Sequence, residues 1–431
     1  MSVLHQEITD RIIDFVREVS SGHFRAPLKS CALVSKAWVT RSQRHLFHHV
    51  KLQYETELRR WCKNITKERA KVLSTYVKWL SYSPPYKTKD QDVLDRFTRV
   101  ETLSIVKADF REFSDEKSKL RSTFCHFGNS TLYIVLDRCI GHFPTVINLF
   151  RLFPKFTHLD LHDCTLPYPT LMSEEMFGDF DTVEMLRVTA SERGFLDMLM
   201  PERFTALKHI SYFDKGPESP GDFRLLLRCC GKTVETLTVL SGHSLTISEF
   251  SFVTPFAPMW YISYGQLHST FLEAFDRKGF PEEYSLDYCK NLRKIAFDHV
   301  HANKPSPEIL AVLPTVDPAH FETVTFLSQN ANINLDSPSD KYWRKIDYVL
   351  AALGQDVMEK HSRELEVVFD GWRAPIEDEG ARERWVGLLP NFSQVGKIRF
   401  KYMDPPPHVY DPPTWHSLTR EVVKGPSSSV L

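Results

Sequence analysis

Apolar and polar positions along this chain repeat a six-residue phrase, apolar-x-x-apolar-x-apolar. It reads Val77–Tyr82, Val100–Ile105, Phe156–Leu161, Val183–Val188, Leu207–Tyr212, Val234–Val239, Leu292–Phe297, Phe321–Phe326 and Val395–Phe400, with looser copies at Leu132-Tyr133-Ile134 and Leu365-Glu366-Val367. The last two apolar residues of each phrase are two apart, which sends them to one face of a strand while the residue between them points to the other. Intervening segments carry helical spacing, as in Phe223, Leu226, Leu227 and Cys230. Phrase midpoints at 80, 103, 132, 159, 186, 210, 237, 295, 324, 365 and 398 lie 23, 29, 27, 27, 24, 27, 58, 29, 41 and 33 residues apart. A strand and helix of that size cannot close a core alone, so the spacing predicts stacked units sharing one continuous core. The gap of 58 is 2 × 29 and predicts a hidden repeat between Ser241 and Tyr288. The two longest later gaps predict insertions, one of them the polar stretch 329–340.

The first 50 residues follow a different rhythm. Leu4, Ile8, Ile12, Phe15, Val16 and Val19 recur at helical spacing, with Glu7, Asp10, Arg11, Asp14 and Arg17 on the other face. This helix should stop at Ser20-Ser21-Gly22. A second fits around Pro27, tolerated in a first turn where its missing N–H is not needed. A third is expected from Ser35, whose hydroxyl would cap it, to Phe47, with Ala37, Trp38 and Leu46 as buried residues and His48-His49 ending it. Three short helices bury little surface and form a marginal unit.

Composition narrows the chemistry. With 54 Lys+Arg against 55 Asp+Glu over 431 residues, the net charge of −1 gives no general attraction to phosphate backbones or anionic lipid. Glycine is scarce, 17 of 431 or about 4% where about 7% is usual. No two glycines stand one residue apart, which removes the G-x-G-x-x-G nucleotide fingerprint. The spacing Gly216 to Gly221 is followed by Asp222 and Phe223, where a phosphate loop requires Lys and Ser/Thr. Scarce glycine leaves the repeat turns to other residues, notably prolines such as Pro154, Pro201, Pro314 and Pro390. Eight cysteines without a C-x-x-C pair, and no leader-like apolar start, suit a reducing compartment, cytoplasmic and/or nuclear. No window approaches 18 consecutive apolar residues, so no membrane span is expected.

Candidate chemical clusters are few. His158, Asp160, His162, Asp163 and Cys164 are dense in metal-capable groups, but in a strand residues four apart lie about 13 Å apart, too far for one tetrahedral zinc. Cys139 and Cys164 occupy a position suited to small buried residues. Ser241-Gly242-His243-Ser244 lacks the strand-turn-helix setting of a nucleophile elbow and reads as a loop. No catalytic residue, cofactor or metal is expected. Between His23 and Lys51 stand six basic residues (Arg25, Lys29, Lys36, Arg41, Arg44, Lys51) and no acidic ones, which leaves a helix-turn-helix nucleic-acid reader as an alternative, opposed by Glu7, Asp10, Asp14 and Glu18. The prolines at 405–407 and 412–413 predict a cap, followed by a polar tail, with a Pro-rich ligand as the other use of that segment.

The segments 4–15, 29–38 and 41–47 resemble an F-box domain, especially the type found in large fungal (basidiomycete-type) sets of F-box proteins. The match runs through Leu4-His5-Gln6-Glu7-Ile8, Cys31-Ala32-Leu33-Val34-Ser35-Lys36-Ala37-Trp38 and Arg44-His45-Leu46-Phe47, and departs at His5, where the family carries proline. The later phrase resembles leucine-rich repeats. Together these imply an α/β chain: an F-box-like three-helix module (1–50), a helical linker (51–76), an irregular leucine-rich-repeat-like solenoid or horseshoe with parallel strands (77–404), and a Pro-rich cap and tail (405–431). The resemblance further implies a non-catalytic substrate-recognition subunit of a Skp-cullin-F-box ubiquitin ligase, monomeric within its complex. Leu4, Ile8, Ile12, Leu33, Val34 and Trp38 are the expected surface for a Skp-family adaptor. The repeats would hold a protein substrate on concave positions expected at Ser81, Ser104, Tyr133, Asp160, Arg187, Ser211, Thr238, Ala296, Thr325, Glu366 and Arg399. Of these Asp160, Arg187, Ser211, Thr238 and Arg399 carry the most chemistry. A repeat scaffold with a degenerate F-box is the other reading.

Overall fold

The computed structural model describes residues 6–19, 25–54, 56–58, 61, 67–83, 93–113, 117–166, 180–189, 203–214, 226–241, 285–298, 308–327, 340–370, 383 and 386–401. Residues 1–47 and 48–401 fall into separate compact units.

The first unit contains α1 (Gln6–Val19), α2 (Arg25–Val34) and α3 (Lys36–Leu46). Ile13, Leu28 and Cys31 close its core, with Val16, Trp38 and Leu46 packed against them. Pro27 sits in the first turn of α2. Ser35 occupies the cap of α3 in extended conformation, but its hydroxyl makes no cap bond; the N–H of Trp38 donates to the Ser35 carbonyl instead, at 3.1 Å. Asp14 ties α1 to α3. Arg41 Nε and Nη2 donate to its two oxygens at 2.7 and 2.6 Å, and His45 Nε2 lies 2.7 Å from Oδ1. Such a forked guanidinium–carboxylate pair fixes orientation as well as distance.

The second unit is built on one twelve-stranded parallel sheet whose strands follow chain order. They are β1 (His49–Leu52), β2 (Trp79–Tyr82), β3 (Thr102–Val106), β4 (Tyr133–Asp137), β5 (His158–His162), β6 (Met185–Thr189), β7 (His209–Asp214), β8 (Thr236–Ser241), β9 (Lys294–Asp298), β10 (Thr323–Leu327), β11 (Glu366–Asp370) and β12 (Lys397–Lys401). Parallel neighbours in unbroken sequence order, with helices between them, make an α/β solenoid arrangement. Two expectations are corrected. The array begins at His49, not at residue 77, because Phe47-His48-His49-Val50-Lys51-Leu52 is itself a copy of the phrase, and β1 pairs with β2 from His49↔Trp79 to Leu52↔Tyr82. His49 therefore opens a strand instead of ending a helix. The hidden repeat is also absent from the sheet. β8 pairs directly with β9, and the N–H groups of Arg293 and Lys294 donate to the Glu235 carbonyl at 2.8 and 3.1 Å, so no strand intervenes. The 58-residue gap is one repeat carrying an insertion, and residues 242–284 lie outside the described residues.

The phrase's middle apolar residues form a core row across the ladder. Leu80, Leu103, Ile134, Leu159, Leu186, Ile210, Leu237, Ile295, Val324 and Val367 are each at most 2% exposed. Helices cover this side: α6 (Phe143–Phe150) buries Val146, Ile147 and Leu149, while Trp343 of α8 (Asp340–His361) meets Phe326 and Phe369 at ring-centroid distances of 5.7 and 6.3 Å. Between β1 and β4 lie the shorter α4 (Lys67–Ser74) and α5 (Lys117–Phe124); α7 (Glu308–Val312) precedes β10.

Phenylalanine, 30 in the chain, recurs in the turns that enter the strands. Phe153, Phe180, Phe204 and Phe392 each stand three residues before a phrase, and their carbonyls accept the N–H of its first apolar residue at 3.0 to 3.4 Å. Phe180 and Phe204 stack at 4.6 Å, joining successive repeats. Of the prolines expected in turns, Pro154, Pro314 and Pro390 lie in turns that lead toward strands; Pro201 lies outside the described residues. Turns leaving the strands use another device: Lys107, Arg138 and Asp163, at matching places after β3, β4 and β5, have φ of 53, 52 and 51°. Non-glycine residues thus take the left-handed turn. The expected cap and tail, 405–431, lie outside the described residues.

Candidate binding surfaces

Two surfaces, one on each unit, hold the residues expected from the sequence. On the helical unit, Ile8, Ile12, Leu33 and Val34 are 51, 38, 87 and 63% exposed. Phe15, not singled out as a contact, is 62% exposed and continues the α1 face at i, i+4, i+7 spacing. Five large apolar side chains left in water on so small a unit exceed scattered surface exposure. Trp38 is partly buried and packs against Ile13, Leu28 and Cys31, so it contributes to the unit's own core. Leu4 lies outside the described residues. Of the six basic residues that suggested a nucleic-acid reader, Arg41 is held by Asp14.

On the sheet, the face turned away from the core row carries polar ladders. One row runs Lys51, Ser81, Ser104, Val135, Asp160, Arg187, Ser211, Thr238, Ala296, Thr325, Val368, Arg399. Tyr133 and Glu366 are expected in it from the sequence; Val135 and Val368 stand there instead. The two loose phrases lack a first apolar anchor, and aligning them on their visible apolar residues sets them two positions early, which preserves the face but shifts the row. Asp160, Arg187, Ser211 and Thr238 lie on four consecutive strands. Arg399 is four strands beyond Thr238, roughly 19 Å at about 4.8 Å per strand, and pairs with Glu366. Ser211 and Thr238 are buried within the ladder, and Ser81 accepts a hydrogen bond from Gln53 Nε2 at 2.9 Å.

A second row, not anticipated from the sequence, begins His49, Trp79, Thr102, Tyr133, His158, Met185, His209. Its rings stack across strands: His49 on Trp79 with centroids 3.7 Å apart and planes at 3°, Tyr133 on His158 at 4.0 Å and 27°. Its signal is the residue just before each phrase's middle apolar position. Burial shapes the charges here. It pushes the His209 imidazole down, with Glu235 opposing, and pushes the Tyr133 phenol up, aided by Glu101. Asp160 is raised by burial, only partly countered by Arg187. For Asp137 burial also acts upward, but hydrogen bonds from His162 and Arg138 outweigh it and the carboxyl ends below its usual range.

Among the described residues no three His, Cys, Asp or Glu side chains are arranged to hold a metal ion, and no helix is long and apolar enough to cross a membrane. Cys139 and Cys164 are buried, with thiols directed at the carbonyls of Ile105 and Leu136 at 3.3 and 3.4 Å. The Ser241–Ser244 loop falls outside the described side chains. No protein-family model matches the chain, and no curated protein matches it significantly.

Proposed function

We propose that this chain is a non-catalytic substrate-recognition subunit of a Skp-cullin-F-box ubiquitin ligase. Its helical unit binds a Skp-family adaptor, which links it to a cullin, and the open face of its sheet binds the protein to be modified. The leucine-rich-repeat-like character of the array and action in the cytoplasm and/or nucleus belong to the same proposal. The observation that carries it is the exposure of Ile8, Ile12, Phe15, Leu33 and Val34 on a unit whose own core is closed by Ile13, Leu28 and Cys31. An amphipathic helix that leaves a second apolar face in water suits helix-in-groove recognition. His5, at the family's proline position, favours a second reading, a repeat scaffold with a degenerate F-box. Co-purification of the full-length protein with a Skp-family adaptor separates the two. The ligase reading expects association, lost on changing Ile8→Asp together with Ile12→Asp. Absence of association, or association indifferent to those changes, ends it.

A further inference from the structure

The open face of the sheet holds one side-chain pair that its surroundings leave unsatisfied. Asp160 on β5 and Arg187 on β6 are ladder neighbours, yet Arg187 Nη1 lies 3.8 Å from Asp160 Oδ2, too far for a hydrogen bond. Asp160 Oδ1 and Arg187 Nε are screened from solvent and have no hydrogen-bond partner. Their side chains keep 23 and 34% of their surface, all of it on other atoms. Asp137, two strand positions from the pair, is the contrast: Arg138 Nε and Nη2 donate to it at 3.1 and 2.9 Å and His162 Nδ1 lies 3.2 Å away.

The sheet has no structural need of the pair. Val135 on β4 precedes Asp160 in the same row, and Val368 on β11 occupies it with 1% exposure, so a β-branched apolar residue fits these positions. An ion pair held at 3.8 Å with one oxygen and one nitrogen screened from water and not hydrogen-bonded does not replace the solvation those atoms lose, and such a charged pair on an open face fits a ligand that completes it. The missing partner must offer a donor to Asp160 and an acceptor to Arg187. It must be neutral, since the two charges cancel, and a flat group would lie against the Tyr133–His158 ring stack in the adjoining row. A primary carboxamide presents N–H and C=O on one edge, whereas a trans peptide group directs them to opposite sides.

We propose that Asp160 and Arg187 form a carboxamide-reading subsite, which takes the side chain of a Gln or Asn in an extended segment of a protein bound on this face. The loose 3.8 Å pairing lets the two side chains part to admit the amide, whose N–H then donates to Asp160 and whose oxygen accepts from Arg187. This subsite rests on reading the open face as the protein-binding surface.

The test pans a random-peptide display library on the purified full-length protein and on the double variant Asp160→Val/Arg187→Val. Expected is a Gln or Asn at one fixed position of the selected peptides, enriched at least about tenfold, the effect of one hydrogen bond to a charged group. That preference disappears in the double variant, which unfolds at the wild-type temperature or above, since an unsatisfied buried pair has been replaced by apolar residues. A charged or apolar residue at the fixed position, no positional preference, a preference that survives in the variant, or a variant that unfolds earlier would each overturn the proposal. Adaptor co-purification reads the helical unit alone, so its outcome separates failure of the ligase reading from failure of this subsite.

Discussion

Removing the Asp347 carboxylate should loosen one end of the array and leave the other untouched. Asp347 lies in α8 and is 1% exposed. Its Oδ1 accepts from the Phe392 N–H at 2.8 Å, and its Oδ2 from the Asn391 N–H and Nδ2 at 3.1 and 2.7 Å. It thereby pins the 3-10 turn Phe392–Gln394, which delivers the chain into β12. In Asp347→Ala the Phe392 N–H, on a fully buried residue, loses its partner at a cost of about 1–3 kcal/mol. The Asn391 groups are at the surface and regain water, so each adds only about 0.5–1 kcal/mol. The sum is roughly 2–5 kcal/mol, about 30- to 5,000-fold in a local opening equilibrium. Solenoid repeats touch only their neighbours, so the loss should stay local. Native-state hydrogen exchange reads this directly: amides of β11 and β12 should exchange faster by that factor, with β3 to β5 unchanged. Unaltered protection at β11 and β12, or equal acceleration along the whole sheet, would refute the reasoning. Asp347→Asn should fall between, since its amide keeps an acceptor for Phe392 but turns a donor toward the donors of Asn391.

Ser362 follows α8 in the left-handed region, φ 53°, with its N–H donating to the Met358 carbonyl at 2.9 Å. Ser362→Gly should raise stability by about 0.5–1 kcal/mol in urea unfolding, because glycine takes this helix-terminating conformation without steric cost; no gain would show that the conformation is unstrained. In the helical unit, both members of the Asp14–His45 contact carry lowered pKa values: Asp14 through hydrogen bonding to Arg41 against burial, His45 chiefly through burial. A depressed folded pKa means the unfolded chain binds protons more readily, so stability falls as pH drops, first below about 6.5 for His45 and then below about 4 for Asp14. Circular dichroism against pH should therefore show helix loss from the acid side, shallower in Asp14→Asn; an unchanged profile in that variant would remove Asp14 from the linkage.

The repeat is legible because its period is a packing requirement. Each strand must send two apolar residues, such as Leu159 and Leu161, into a shared core, and that alternation survives any choice of surface residue. What stays hidden has a different cause in each case. The copy at Phe47–Leu52 merges with the preceding helices because Leu46 and Phe47 also satisfy a helical period. Dividing the 58-residue gap by two fails because spacing alone does not distinguish a missing strand from a long connection; only the pairing of Thr236 with Lys294 does. The left-handed turns at Lys107, Arg138 and Asp163 have no glycine to mark them.

The open face is half legible for a physical reason. The residue between two core positions must point away from the core, which gives Asp160, Arg187, Ser211 and Thr238 their row from sequence alone. What those residues do there depends on distances across strands some 25 residues apart, which no local pattern encodes. Asp137 and Asp160 are both strand aspartates on neighbouring repeats, and the residues beside them do not reveal that one is fully hydrogen-bonded while the other keeps an oxygen without a hydrogen bond. The difference is that Arg138, turned by its left-handed φ, folds back onto Asp137, while Arg187 stops short of Asp160. A ladder position is a matter of period, but a binding position is a matter of which neighbours fail to satisfy it. On this sheet the valines at 135 and 368 mark where the fold alone decides the residue, and the unsatisfied pair between them marks where it does not.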